Sequence, residues 1–235
     1  MRSLLKGKLK YLVYSFLPKA MLEFLCTVQV PFIFSFNYII TPLLIRPWNS
    51  QNPVRDRRET LKLCIQALQN KPGFLIVETG CQRQDHGALS WGDDGCSTLI
   101  FNLFAQRHGG TVTSIDISAE NIGYASKLNK GAGRFVVSDS VDYLTTFQFP
   151  EKIDLLYLDS FDFEPKFPKL SQQHHLNELT AVYEKLKPGC LILIDDADTN
   201  FDGQLFGKAS LIIEFFESLK IQPLHSGYQI LYTKP

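Results

Sequence analysis

Five short runs of this chain put a carboxylate directly behind an apolar stretch: Glu78-Thr79-Gly80, Asp116, Asp139-Ser140, Asp159-Ser160 and Asp195-Asp196. One acid in such a place is common by chance; five is a pattern. Acids of this kind have two uses. A single carboxylate can accept hydrogen bonds from both hydroxyls of a ribose. Several together, such as Asp159, Asp195 and Asp196, would repel one another and raise one another's pKa unless a cation joined them. Mg²⁺ or another hard divalent cation resolves that by coordinating oxygens. It would also lower the pKa of a bound hydroxyl and hold it in line for reaction. Asp162, three residues after Asp159, is a candidate to take the hydroxyl proton, and His174 and His175 are the others. The plainer alternatives are that Asp195 caps a loop, that Asp196 faces solvent, and that the histidine pair is a solvated helix face with one packed ring.

These residues share a site only if the elements before them form one sheet. Apolar runs at Phe74–Val77, Thr111–Ile115, Arg134–Val137, Ile153–Leu158 and Cys190–Ile194 read as strands. Between them lie helical periods over Ser97–His108, Ser118–Asn129 (Ser118 a natural N-cap) and Gln172–Leu186, with further helices at Glu59–Gln69 and Leu211–Leu219. Two short strands near Leu224 and over Tyr228–Tyr232 close the chain as a hairpin around Ser226-Gly227. Strands alternating with helices imply an α/β fold: a Rossmann-like, doubly wound, mostly parallel seven-stranded sheet with helices on both faces. In such a sheet ligands bind beyond the carboxyl ends of the strands, where the acids fall.

The first strand ends in Glu78-Thr79-Gly80-Cys81, and its glycine lets a ligand approach the backbone. The next helix begins near Ser97 and Thr98, where free amides would meet a carboxylate. Asp116 ends the second strand, one βαβ step on, in place for a ribose. The signature G-x-G-x-x-G is missing, and no close glycine cluster seats a pyrophosphate. The cofactor is therefore expected to be a nucleoside rather than a dinucleotide.

Phe74–Gly80, Ser114-Ile-Asp116, Val137-Ser-Asp139-Ser140, Asp154–Asp159 and Leu186-Lys-Pro-Gly–Asp195 together resemble class I methyltransferases, over about residues 60–235. The Lys-Pro-Gly turn before the fifth strand is especially typical. The resemblance implies S-adenosyl-L-methionine as cofactor. It places Glu78 and Gly80 near the methionine part, Asp116 at the ribose, and Asp139 and Ser140 near the adenine, with Ile117 also touching the cofactor. Asp159, Asp195 and Asp196 match the metal-holding positions of metal-dependent O-methyltransferases of the macrocin O-methyltransferase type and, more distantly, of catechol O-methyltransferase. The acceptor implied is a hydroxyl of a sugar or glycan, with a small natural product or a phenol as the second choice. One departure is the insertion Gln82–Asp94 after the first strand. It carries Arg83, Asp85, His86, Trp91, Asp93 and Asp94 and is expected to act as a lid, the alternative being a surface loop with the tryptophan packed beneath it. Cys81, His86 and Cys96 match no familiar zinc spacing. Asp198 and Asn200 are expected in the pocket wall.

The bulk numbers exclude some functions. Lysines and arginines number 24 and acids 24, so no bulk field attracts nucleic acid. The five cysteines are scattered, which fits a reduced compartment. Residues 1–50 are a separate basic and apolar segment, with residues 51–235 forming the catalytic domain. Arg2, Lys6, Lys8, Lys10 and Lys19 precede an apolar stretch over Ala20–Ile45, and Arg46, Arg55, Arg57 and Arg58 follow it. Pro31 makes the stretch a poor straight span, so peripheral membrane contact is one expectation. Helices packed on the domain or on a second subunit, as in a homodimer, are the other. The expected location is cytoplasmic, at the cytoplasmic face of a membrane if the segment attaches there. Two other classes compete: an NAD-dependent oxidoreductase and a non-catalytic adaptor on a similar fold.

Overall fold

The computed structural model describes residues 57–83, 97–197 and 207–235. The chain divides into two compact units. Residues 55–83 with 97–235 make up one; the other, 1–54 with 84–96, lies outside the described residues. The expected domain boundary near residue 50, the basic and apolar segment, and nearly all of the insertion therefore lie outside them too.

The described unit runs α1 (Arg58–Leu68), β1 (Leu75–Thr79), α2 (Ser97–His108), β2 (Thr111–Asp116), α3 (Ala119–Leu128), β3 (Arg134–Val137), α4 (Ser140–Thr146), β4 (Ile153–Leu158), α5 (Pro168–Val182), β5 (Leu191–Ile194), α6 (Ser210–Ser218), β6 (His225–Ser226) and β7 (Ile230–Thr233). The strands form one seven-stranded sheet in the order β3-β2-β1-β4-β5-β7-β6. Pairing is parallel from β3 to β5, while β7 is antiparallel to both β5 and β6. Right-handed crossovers in a sheet whose strand order reverses put helices on opposite faces. The reversal lies between β1 and β4. There the chain leaves β1 toward β2 and later returns to β4 on the other side, opening a crevice at the strand ends.

The core follows from the apolar runs. Every residue of β4 and β5 is buried. Val77, Ile115, Leu156, Leu158, Ile192 and Ile194 pack with Leu179 and Val182 of α5 and Ile212 and Phe216 of α6. The Lys-Pro-Gly turn also gains a physical reason. Lys187 Nζ lies 2.6 Å from the buried Asp154 Oδ1 at the start of β4, and Lys71 pairs with the same oxygen. Ser118 caps α3, its hydroxyl accepting from the Asn121 amide.

Two local features go beyond the apolar pattern. Asp139 and Ser140 open a short helix after β3. Asp139 caps the short helix α4 by accepting from the Asp142 amide at 3.0 Å. Helix α5 starts at Pro168 rather than Gln172 and is therefore longer at its N-terminus. Proline suits a first helical position, where its missing N–H costs nothing.

Candidate active site

Gly80 stands at the strand reversal. Its φ is +76°, and a Cβ there would lie 2.5 Å from the Asp159 carbonyl oxygen. Only glycine lets the ends of β1 and β4 approach this closely. Its amide donates to Ile115 O at 2.7 Å, and the Asp159 amide donates to Thr79 O at 3.0 Å. Three strand ends are thus tied together at the crevice.

On the β1–β3 side, the carboxylates meet neutral donors. Asp116 accepts from the Ser118 amide at 2.8 Å, the Cys81 amide at 3.2 Å and the Asn121 side chain at 3.3 Å. These bonds orient the group without neutralising it. Beside it the apolar side chain of Ile117 is 75% exposed. Glu78 is wholly buried. It accepts from Ser97 Oγ of α2 at 2.5 Å and from Ser114 Oγ of β2 at 2.8 Å. Burial pushes its carboxyl up to about 7, against the pull of those hydrogen bonds. Glu78 therefore braces the start of α2 against β2 from below the crevice. Thr98 Oγ1 accepts from the Gln82 amide at 2.9 Å.

On the β4–β5 side, the three carboxylates converge as expected, but with partners that the sequence reading did not include. Asp195 is fully buried and gripped by Arg57 through Nε (2.9 Å to Oδ2, 3.1 Å to Oδ1) and Nη2 (2.7 Å to Oδ2). The Tyr157 hydroxyl lies 2.9 Å from Asp195 Oδ2 and 3.2 Å from Asp159 Oδ2, and accepts from Gln229 Nε2 at 3.2 Å. Lys208 Nζ lies 2.9 Å from Asp159 Oδ1 and 3.0 Å from Asp196 Oδ2, and the Tyr228 hydroxyl donates to Asp196 Oδ1. Burial by itself would raise Asp195, but the Arg57 guanidinium outweighs it and holds the carboxyl below its ordinary value. Asp159 goes the other way. Burial and the charge of Asp195 raise it well above the ordinary range despite Lys208.

Among the described residues, this arrangement does not fit a divalent cation. Each oxygen of Asp159, Asp195 and Asp196 already meets a donor of the chain. Among the described residues, no three of histidine, cysteine, aspartate and glutamate are placed to hold a metal ion. The convergence is legible in the sequence. The two buried cations inside it, Lys208 from the loop before α6 and Arg57 from beyond the start of α1, are not.

The other expected acceptor-side residues separate. Asp162 is 72% exposed, and its carboxylate is engaged at the surface by Arg83 at 2.5 Å. His174 is largely covered, with 19% of its side chain exposed. Its Nε2 lies 3.0 Å from Ser140 Oγ and 3.4 Å from Glu178 Oε1, and Glu178 accepts from Ser160 Oγ at 2.6 Å. The hydrogen bond to Glu178 raises the His174 pKa. Ser140 is thus engaged by α5. His175 is buried, with Nδ1 2.7 Å from Ser171 O, and burial lowers its pKa to about 4. It is the packed ring of the pair. Its Nε2 and Glu178 Oε2 have no hydrogen-bond partner among the described residues. Glu178 was missed because it sits mid-helix with no motif. Asp198, Asn200, His86 and Cys96 lie outside the described residues.

With this geometry in place, comparison with known proteins is informative. Residues 90–197 match the family model Methyltransf_24, described as a methyltransferase domain. No curated protein matches by sequence. Among solved structures, the sheet is similar to that of the MycE methyltransferase from the mycinamycin biosynthetic pathway in complex with Mg and SAH. The TM-score is 0.53 at 16% identity, covering 75% of this chain and 49% of that one. A complex of MycE with Mg, SAH and mycinamycin VI gives 0.52 at 16% identity, over 75% and 48%. This chain thus spans about half the length of those proteins.

Fold and family match point the same way: residues 90–197 match a methyltransferase domain, and the sheet has the fold of the class I, S-adenosylmethionine-dependent methyltransferases that the sequence resembles. Within that class its sheet resembles that of MycE. No helix among the described residues is long and apolar enough to cross a membrane.

Proposed function

We propose that the protein transfers the methyl group of S-adenosylmethionine to a hydroxyl of a sugar or glycan. The observation that carries this reading is the pairing of Asp159 with Lys208 at the end of β4, across Gly80 from the β1–β2 side. Asp116 would hold the ribose hydroxyls, with Ile117 against the adenine. The acceptor oxygen would attack the sulfonium methyl carbon. The carbon–sulfur bond then breaks, its electron pair stays on sulfur, and the hydroxyl proton passes to a base. Asp159 suits that task, since its side chain is 21% exposed in the crevice and its carboxyl is raised. A polyhydroxylated acceptor suits a wall built of Asp159, Asp196 and Tyr228, which offers hydroxyl and carboxylate groups. The MycE complex with mycinamycin VI favours the same class of chemistry by analogy of fold.

A phenol or small natural product is the second reading, favoured by the exposed rings of Phe161 and Phe167. Calorimetry with S-adenosylmethionine and with NAD, followed by transfer of labelled methyl to panels of glycans and phenols, tests both. Saturable binding of S-adenosylmethionine alone, with label on glycans, is expected. Binding of NAD instead, or of neither, ends the proposal.

A further inference from the structure

Three acids at the tips of neighbouring strands need positive charge, and the chain supplies it by itself. Arg57 is spent on Asp195, in a buried two-pronged pair. The open pair, Asp159 and Asp196, is bridged by the Lys208 ammonium at 2.9 and 3.0 Å. Lys208 is not a surface side chain that happens to fold over. It is 2% exposed. Its backbone amide also donates to Asp196 O at 2.8 Å, so main chain and side chain both grip the same residue. Asp196 itself has φ +48°, a left-handed turn that directs its carbonyl to that amide. Mg²⁺ binds oxygens at about 2.0–2.1 Å in a near-octahedral shell. It would have to enter where Nζ now stands, between the same two carboxylates.

We infer that Lys208 is the resident cation of the acceptor side, holding Asp159 and Asp196 together and excluding a divalent metal ion from between them. The inference rests on reading this crevice as the acceptor site. It assigns the place expected for a metal to a lysine. Two protons of the ammonium point to Asp159 and Asp196. An acceptor hydroxyl entering beside them would meet a positive charge in a buried setting, where such a charge acts strongly.

The test is Mn²⁺ binding, followed by the spin resonance signal of the free ion, on the full chain and on Lys208→Met. The wild type should show no saturable loss of free Mn²⁺. Lys208→Met removes the ammonium at nearly constant volume and leaves two carboxylates facing one space. It should gain a site for one ion, with affinity raised at least roughly tenfold. Asp159→Asn added to Lys208→Met should abolish that gain. Saturable Mn²⁺ binding by the wild type that Asp159→Asn removes would overturn the inference, as would a folded Lys208→Met without gain. The wild-type measurement decides the matter even if the variant fails to fold. Calorimetry with S-adenosylmethionine on the same samples reports separately on the methyltransferase reading.

Discussion

The two sides of the crevice solve the same electrostatic problem differently. Beyond β1–β3, Asp116 and Glu78 accept hydrogen bonds from amides, hydroxyls and an asparagine side chain. Beyond β4 and β5, Asp159, Asp195 and Asp196 are matched by Arg57 and Lys208. Neutral donors orient Asp116 and leave it spare lone pairs, which would suit ribose hydroxyls, whereas burial pushes Glu78 toward its protonated form. A carboxylate cluster neutralised by buried cations becomes rigid, and its charge is available only next to its partners. Neutral donors therefore mark the β1–β3 side, where the proposed function puts the cofactor, and paired ions the β4–β5 side, where it puts the acceptor.

Breaking the ion pairs should have the largest effect. Arg57→Ala leaves Asp195 buried without its partner, a loss of about 3–5 kcal/mol. Denaturant melts of the variant should show it. A loss below about 1 kcal/mol would mean that water reaches Asp195 and that the two sides do not differ as described.

Next comes the seam between the sides. Gly80→Ala forces a Cβ against the Asp159 carbonyl and strains a positive φ, together costing about 2–4 kcal/mol. Thermal unfolding should drop accordingly, and S-adenosylmethionine affinity should fall with it. Unchanged melting would show that β1 and β4 separate freely at this point.

A pH effect sharpens the neutral-donor side. Buried Glu78 has its carboxyl raised from 4.5 to about 7. The folded state therefore holds a proton that the unfolded chain has lost between those values. Stability falls as pH rises through that window, and the penalty remains above it, on the order of 3 kcal/mol at most. Glu78→Gln should flatten that fall in the cofactor-free protein. Parallel pH curves for the two proteins would remove Glu78 as the cause.

The smallest effect is expected at Asp116. Asp116→Asn should weaken S-adenosylmethionine binding roughly tenfold while leaving stability within about 1 kcal/mol. Equal affinity by calorimetry would take the ribose contact away from this residue.

Much of the fold is written in local pattern. The bounds of α2, β3 and β4 fall at the residues where apolar runs and helical periods begin and end. Ser118 caps α3 as its type and place suggest. Helix α4 escaped notice because seven residues are too few to display a period. Asp162 was misjudged for a related reason. Proximity along the chain to Asp159 says nothing of direction, and the turn after β4 sends its side chain out to Arg83.

The sequence alone determined the sheet, its parallel order of acids at the strand tips, and the class of cofactor chemistry they imply, since each depends on periods and spacings of a few residues. Only the tertiary structure decided what those acids face. Arg57 meets Asp195 across 138 positions, and Lys208 meets Asp159 across 49. Charge pairing is set by distance in space, and no local pattern in the chain marks which lysine will be buried against which carboxylate.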